Sequence, residues 1–493
     1  MMTVTDATAG VTSRYRVAGG WRESDDTRTL PVISPVDEST IGGVHEYTRD
    51  EIDEVFVAAH RAQPRWAARP LTERSELLHR FADRLAENAD AIGDVLMMEV
   101  AKAGKDARDE VVRSADYVRH TAEDAKRIIG DTQFSDSFPG QARNKLAVVH
   151  RVPLGTVLAI PPFNYPVNLA VSKIAPALVT GNTVVLKPPS QGALSALLMC
   201  ELAYDVGVPP EVLQVVTGRG SRIGDYLVQH PGVDLITFTG SSGTGADLAR
   251  KAGMVPLLLE LGGKDPAIVL ADADLDAAAS DIVSGAFSYS GQRCTAVKRV
   301  LVVDTVADEL VARIAERTAK LSVGDPRENA TITPLVDPEA ATGAERMVNE
   351  AVAAGAVLVH GGTRTGRLLQ PTVVDHVTEA MELAWVEPFA PVLPVLRIRS
   401  AAEAVRIGNR SEYGLQAAVF TRDIDMAIQI AARLDVGTVQ VNGRTARGPD
   451  HFPFLGTKAS GMGTQGVRPS IEAMTRVKSL VVNLRAPDLG ASA

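Results

Sequence analysis

Four short stretches, GTVLAI (155–160), TVVLK (183–187), VLQVV (212–216) and VDLITF (233–238), decide how this chain folds. Each is a nearly unbroken apolar run rich in Val and Ile, and helical patterns follow them at 167–179, 191–205, 221–229 and 244–252. Strands that are apolar on both faces and spaced by helices form a parallel sheet covered on both sides, the doubly wound α/β class. The default ligand of such a sheet is a nucleotide, held at the carboxyl ends of its strands.

The pattern extends in both directions. A second α/β series opens near 266 with PAIVL, a helix at 275–288, RVLVVD at 299–304 and a helix at 306–321, and runs to about 441. Upstream, 48–130 is helical scaffold: Thr48 and Glu51 make a capping box, and Ile52, Val55, Phe56 and Ala59 recur on one face. Leu78, Phe81 and Leu85 repeat the period, with Pro64 and Pro70 expected to separate the two helices and Thr72 to cap the second. Segments 140–154 and KSLVVNL (478–484) read as strands outside both series, suited to extending a sheet across subunits. The tail APDLGASA (486–493) has too little apolar content to be ordered without help.

Composition bounds the function. With 45% hydrophobic and 23% charged residues, the 493-residue chain is globular, and about 150 residues per domain gives roughly three domains. A net charge of −9 without a basic run disfavours nucleic acid and anionic membranes, so any anionic ligand must be held by local charge. Two cysteines 94 positions apart exclude a disulfide framework and a Cys-rich zinc site. Neither a signal-peptide pattern nor an apolar run long enough for a membrane span is present. A cytoplasmic protein without a metal centre is expected.

Two glycine clusters are candidates for a phosphate loop. TGRGSRIG (217–224) is one residue too wide for G-x-G-x-x-G, whereas FTGSSGTG (238–245) sets Gly240, Gly243 and Gly245 between a strand and a helix, where backbone amides meet a phosphate. Lys187 and Ser190, in KPPS, put a cation and a hydroxyl at a strand's carboxyl end, with no acid to repel a 2′-phosphate. Cys294, in SGQRCTAVKR, has polar neighbours and Arg293 beside it to favour a thiolate; Cys200, in ALLMCELAY, fits a buried apolar face. Glu260, in VPLLLELGGKDP, is either a general base of raised pKa or a structural partner. Asn164, in PFNYP, either donates to an oxyanion or caps the next helix. Motifs of zinc proteases, P-loop NTPases and serine hydrolases are absent from the sequence.

PFNYP, FTGS, LELGGK, GQRCTA and EPF (387–389) occur in one chain in that order. Together they resemble the aldehyde dehydrogenase superfamily from about residue 20 to 485. PFNYPVNLA, LKPPSQG, TGRGSRIGDY, SEYGLQA, RGPDHFPFLG and GVRPSIEAMTRVKS are most similar to its non-phosphorylating, NADP-dependent glyceraldehyde-3-phosphate dehydrogenases. The resemblance implies a Rossmann-type cofactor domain (1–139 and 155–262), an α/β catalytic domain (263–473) and a β oligomerisation arm (140–154 and 474–493) that builds a homotetramer. It also implies that Cys294 is the nucleophile, with Asn164 in the oxyanion hole and Glu260 as base. NADP, rather than NAD, would be met by Lys187, Ser190, Asp225, Gly240, Ser241, Gly245, Leu261 and Glu387. A small anionic aldehyde, D-glyceraldehyde 3-phosphate or another short phosphorylated or phosphonate aldehyde, would be met by Arg113, Tyr165, Arg293, Thr295 and Arg447.

Overall fold

The computed structural model describes residues 8–485 apart from 9, 13, 25 and 129, so the tail 486–493 lies outside the described residues. Four helices lead into the first sheet: α1 (Arg49–Ala67), α2 (Leu71–Glu87), α3 (Ala89–Val100) and α4 (Gly104–Asp124). The capping box forms at Thr48 and Glu51. Pro64 does not end α1 but lies inside it, and α2 starts after Pro70 rather than at a Thr72 cap. A proline inside a helix loses a backbone hydrogen bond. The last turn of α1 is nonetheless docked, because buried Trp66 donates its indole N–H to Leu178 O at 2.9 Å.

The four quoted stretches become β1 (Thr156–Ile160), β2 (Thr183–Leu186), β3 (Leu213–Val215) and β4 (Leu235–Thr239), and β5 (Leu257–Glu260) joins them. Their crossover helices are α5 (Asn168–Val179), α6 (Ala193–Asp205), α7 (Gly220–Val228) and α8 (Ser242–Lys251). The sheet order is Gly461–Met462, β5, β4, β1, β2, β3, with only the first of these antiparallel. The chain runs outward from β1 on one side and from β4 on the other, so the crevice of a doubly wound sheet falls between those two strands. PFNYP follows β1 and GSSG follows β4, which places both motifs at that crevice.

The second sheet has seven strands: β6 (Pro266–Val269), β7 (Arg299–Val303), β8 (Val357–His360), β9 (Thr372–Asp375), β10 (Val392–Ile398), β11 (Gln416–Phe420) and β12 (Thr438–Val441). They lie in the order β8, β9, β10, β7, β6, β11, β12, and helix α9 (Leu275–Phe287) connects β6 to β7. Both sheets are covered on two faces. Val157 and Ala159 pack into one cluster and Leu158 into another, just as Ala267 and Val269 pack opposite Ile268.

A three-stranded antiparallel sheet stands apart, with Lys145–Pro153 between Thr475–Asn483 and Asp131–Phe134. It takes in residues 131–134, upstream of the expected break at 140, and Gly461–Met462 returns from the expected catalytic segment to pair with β5. Val477, Leu480, Val481 and Val482 of this arm are 40–59% exposed. Among the described residues no helix is long and apolar enough to cross a membrane.

Replacing Trp66 by Ala removes both the buried ring and its hydrogen bond. Large aromatic deletions cost about 3–5 kcal/mol, so urea unfolding should show the first transition at clearly lower denaturant, while Pro64→Ala should leave that transition in place or raise it.

Candidate active site

The two sheets are joined by five residues, Leu261–Gly262–Gly263–Lys264–Asp265, between Glu260 at the end of β5 and Pro266 at the start of β6. The carboxyl end of the first sheet therefore abuts the amino end of the second. A Cβ on Gly262 would lie 2.3 Å from Glu387 Oε2, and one on Gly263 would lie 3.0 Å from Cys294 O. Both glycines are needed for that close approach.

The loop carrying Cys294 leaves α9 through Tyr289, Ser290 and Gly291, all with φ between 51° and 71°. Ser290 is held by Thr333, whose carbonyl accepts its hydroxyl at 2.9 Å and whose N–H donates to its Oγ at 2.8 Å. The Cys294 thiol is half-buried, and burial pushes its pKa up to about 11, with Lys298 the leading opposing charge. The Lys298 ammonium donates to the carbonyls of Arg293 and Cys294, each at 2.7 Å, and pairs with Glu387 at 2.5 Å. Lys298 is thus the main thiolate-stabilising cation. Arg293, expected to do this, donates instead to Gly285 O in the last turn of α9, where helix carbonyls attract a cation. Cys200 is buried, its thiol raised further by desolvation.

Glu260 is 3% exposed. Its Oε2 accepts from Arg447 Nη1 at 2.8 Å, while Oε1 is without a hydrogen-bond partner among the described residues. Burial raises its pKa, opposed first by Arg447 and then by Lys173. Lys173 is itself buried, depressed to about 7, and donates to Thr239 Oγ1 at 2.7 Å. Asn164 donates one amide hydrogen to Gln292 O at 2.9 Å and keeps a second. The Asn164 loop is braced by Glu110 of α4, which accepts from the Val167 and Asn168 N–H groups at 3.0 and 3.1 Å and pairs with Lys102. Lys102 also donates to Asn164 O at 2.7 Å.

Arg113, Tyr165, Arg293, Cys294, Thr295 and Arg447 line one cavity of about 280 Å³. Asp450 ties its far wall together, accepting from Arg113 Nε and Nη2 at 2.5 and 2.7 Å and lying 3.7 Å from Arg447 Nε.

On the other side of the junction, Gly240 and Gly245 bracket the start of α8, whose N-cap is Ser241. A Cβ on Gly245 would lie 2.4 Å from Leu261 Cδ2, so this glycine lets the helix close onto Leu261. Ser190 borders a cleft of about 80 Å³ shared with Pro188, Pro189, Thr217, Gly218 and Arg219. TGRGSRIG is therefore a wall of the Ser190 cleft. Lys187 Nζ is buried and donates to Pro188 O at 3.0 Å. Asp225 stands apart: it faces solvent on α7 and pairs with Lys251 of α8 at 2.8 Å.

A thiol, a buried carboxylate and an amide donor stand at a sheet junction, with the crevice of the first sheet on one side and arginines on the other, a set that could attack a carbonyl and meet its oxyanion. The model of the aldehyde dehydrogenase family matches residues 21–480. The chain belongs to this family. It is 51% identical over 484 residues to an NADP-dependent glyceraldehyde-3-phosphate dehydrogenase of Triticum aestivum, covering 98% of this chain and 97% of that one. The structure of an NADP-dependent glyceraldehyde-3-phosphate dehydrogenase from Bacillus halodurans complexed with NADP is similar at a TM-score of 0.95 and 52% identity, covering 96% and 100% of the two chains. A 3-sulfolactaldehyde dehydrogenase of Priestia aryabhattai is 36% identical over 469 residues, 95% of this chain and 97% of that one.

The residues of this aldehyde dehydrogenase fit a phosphorylated dinucleotide. Among the described residues the Lys187 ammonium has only a neighbouring carbonyl as hydrogen-bond partner, burial depressing it to about 8, beside the cleft that Ser190 lines. A buried ammonium so poorly matched is stabilised by an anion. Sequence reasoning missed Lys298, Lys173, Asp450 and Arg444, the last a further lining residue of the cavity. Two of these stand inside quoted motifs, Lys298 four residues after Cys294 in SGQRCTAVKR and Asp450 in RGPDHFPFLG; Lys173 and Arg444 lie outside them.

Iodoacetamide should label Cys294 of the free protein at a rate that keeps rising with pH up to about 11, because only the thiolate reacts. Lys298→Met should slow labelling at any fixed pH below that, and native Cys200 should stay unlabelled, as read by mass spectrometry of the digest.

Proposed function

We propose that this chain oxidises D-glyceraldehyde 3-phosphate to 3-phosphoglycerate with NADP⁺ and water. The observation that carries the reading is the single cavity in which the Cys294 thiol faces arginines from separate parts of the chain. The relatives named for this activity support it. Bidentate guanidinium pairs suit a tetrahedral dianion.

Cys294 Sγ attacks the aldehyde carbon, and the oxyanion that forms is met by the second Asn164 amide hydrogen and the Cys294 backbone N–H. Lys187, Ser190, the Gly240–Gly245 turn, Leu261 and Glu387 would hold NADP⁺, which when bound would supply the hydride acceptor for that carbon. The thioester left on Cys294 is hydrolysed when Glu260 takes a proton from water and the water oxygen attacks the acyl carbon; the sulfur leaves as thiolate. Gly263 lets the chain that leaves Glu260 pass close to the Cys294 carbonyl, which brings base and nucleophile to one seam. Asp225, exposed on α7 and paired with Lys251, is not among these groups.

A second reading rests on the sulfolactaldehyde relative: the same catalytic residues acting on another short aldehyde with a tetrahedral anionic tail. The division into a cofactor domain, a catalytic domain and an arm belongs to the proposal, as does a homotetramer joined through the exposed apolar strands of the arm, which sedimentation velocity tests. A catalytic free thiol suits a reducing, cytoplasmic setting.

In an assay of aldehydes with NADP⁺ or NAD⁺, glyceraldehyde 3-phosphate with NADP⁺ should give the highest kcat/KM; a higher value for propanal or benzaldehyde rejects the anionic substrate. Cys294→Ser should abolish turnover.

Glu260→Gln should keep a single-turnover burst of reduced cofactor and lose steady-state turnover by about 10²–10⁴. The base works as carboxylate and its pKa is raised, so hydrolysis should fall with decreasing pH at a higher pH than an ordinary carboxylate allows. Arg447→Gln removes the leading opposing charge and should move that limb higher still, as read from the pH dependence of the slow phase.

A further inference from the structure

Five cations line the substrate cavity: Lys102, Arg113, Arg293, Arg444 and Arg447. Three already have carboxylate partners, Lys102 with Glu110, Arg113 with Asp450 and Arg447 with Glu260. Arg293 and Arg444 have none among the described residues. Arg293 is 9% exposed, its Nε has no hydrogen-bond partner, and its one side-chain hydrogen bond goes to Gly285 O. Arg444 is exposed at the cavity wall, makes no hydrogen bond or ion pair among the described residues, and adds its repulsion to the burial that lowers the Arg293 pKa.

Both border the same turn of α9: a Cβ added to Gly285 would lie 3.2 Å from Arg444 Cβ, and the Gly285 carbonyl accepts from Arg293. Two guanidinium groups lining one cavity, neither with a carboxylate partner among the described residues, are suited to an external anion. Asp106 and Asp109 also line the cavity, and Asp106 acts weakly on Arg293. These are the acidic groups an incoming anion must approach, and they bear no hydrogen bond to either arginine.

We propose that Arg444 is a specificity-determining residue that closes with Arg293 on the tetrahedral anionic tail of the aldehyde. The proposal rests on the anionic-aldehyde reading above. Arg113 and Arg447, anchored by Asp450 and Glu260, shape the far wall, while Arg293 and Arg444 carry the uncompensated charge. Ala and Lys both keep the Cβ that lies beside Gly285, and the exposed Arg444 guanidinium makes no hydrogen bond or ion pair among the described residues, so the variants should fold.

The test compares kcat/KM for D-glyceraldehyde 3-phosphate and for D-glyceraldehyde in the parent, Arg444→Ala and Arg444→Lys. The ratio of the two should fall roughly tenfold in Arg444→Ala, the size of one lost charged hydrogen bond, and recover in part in Arg444→Lys. A ratio within twofold of the parent, or an equal loss on both substrates, overturns the proposal. Inorganic phosphate, measured as a competitive inhibitor of glyceraldehyde oxidation, gives a readout independent of the natural substrate: its inhibition constant should rise in Arg444→Ala, and an unchanged constant overturns the assignment. If the parent shows no preference for the phosphorylated aldehyde while phosphate inhibition still weakens in Arg444→Ala, the substrate reading fails and the anion site stands.

Discussion

The close contact at Gly262 and Gly263 governs the rest of the site. Two doubly wound sheets are tied by so short a link that the end of one and the beginning of the next share a seam, and only residues without a Cβ leave room there for the Cys294 carbonyl and the Glu387 carboxylate. The Cys294 loop, Glu260 and the Lys298–Glu387 pair all meet at this seam. Their relative positions follow from backbone geometry, with side-chain packing refining them.

Charge is organised around the same seam. Burying an ion costs several kcal/mol unless a partner and hydrogen bonds compensate it, and here most cations are compensated. Glu260, Arg447, Asp450 and Arg113 form a chain of alternating sign from the end of β5 to the far wall of the cavity. A protein of net charge −9 thereby holds an arginine cluster without becoming basic overall.

Much of this was legible in the sequence because it depends on local pattern. Apolar runs set the parallel strands, and the contrast between SGQRCTA and ALLMCELAY separated an accessible thiol from a core one. What stayed hidden depends on contacts far along the chain. Pro64 looked like a helix end because its tolerance comes from Trp66 reaching Leu178. Arg293 looked like the thiol's cation because it is adjacent, whereas the carbonyl of Gly285 captures it and leaves that role to Lys298. Likewise, nothing around Asp450 announces that it joins two arginines, one of them more than three hundred residues away.

The groups at the far wall come from α4 and from the loop after β12, segments that contribute no backbone to the Glu260–Pro266 seam. Two of those groups also reach back into the seam, since Arg447 holds the Glu260 carboxylate and Glu110 of α4 braces the Asn164 loop. A duplicated gene could therefore exchange one acid-tailed aldehyde for another only by changes that leave those two bonds in place. Substrate identity in such a protein is free to drift at wall positions that bear no such bond, and is constrained where one residue serves both ends of the cavity.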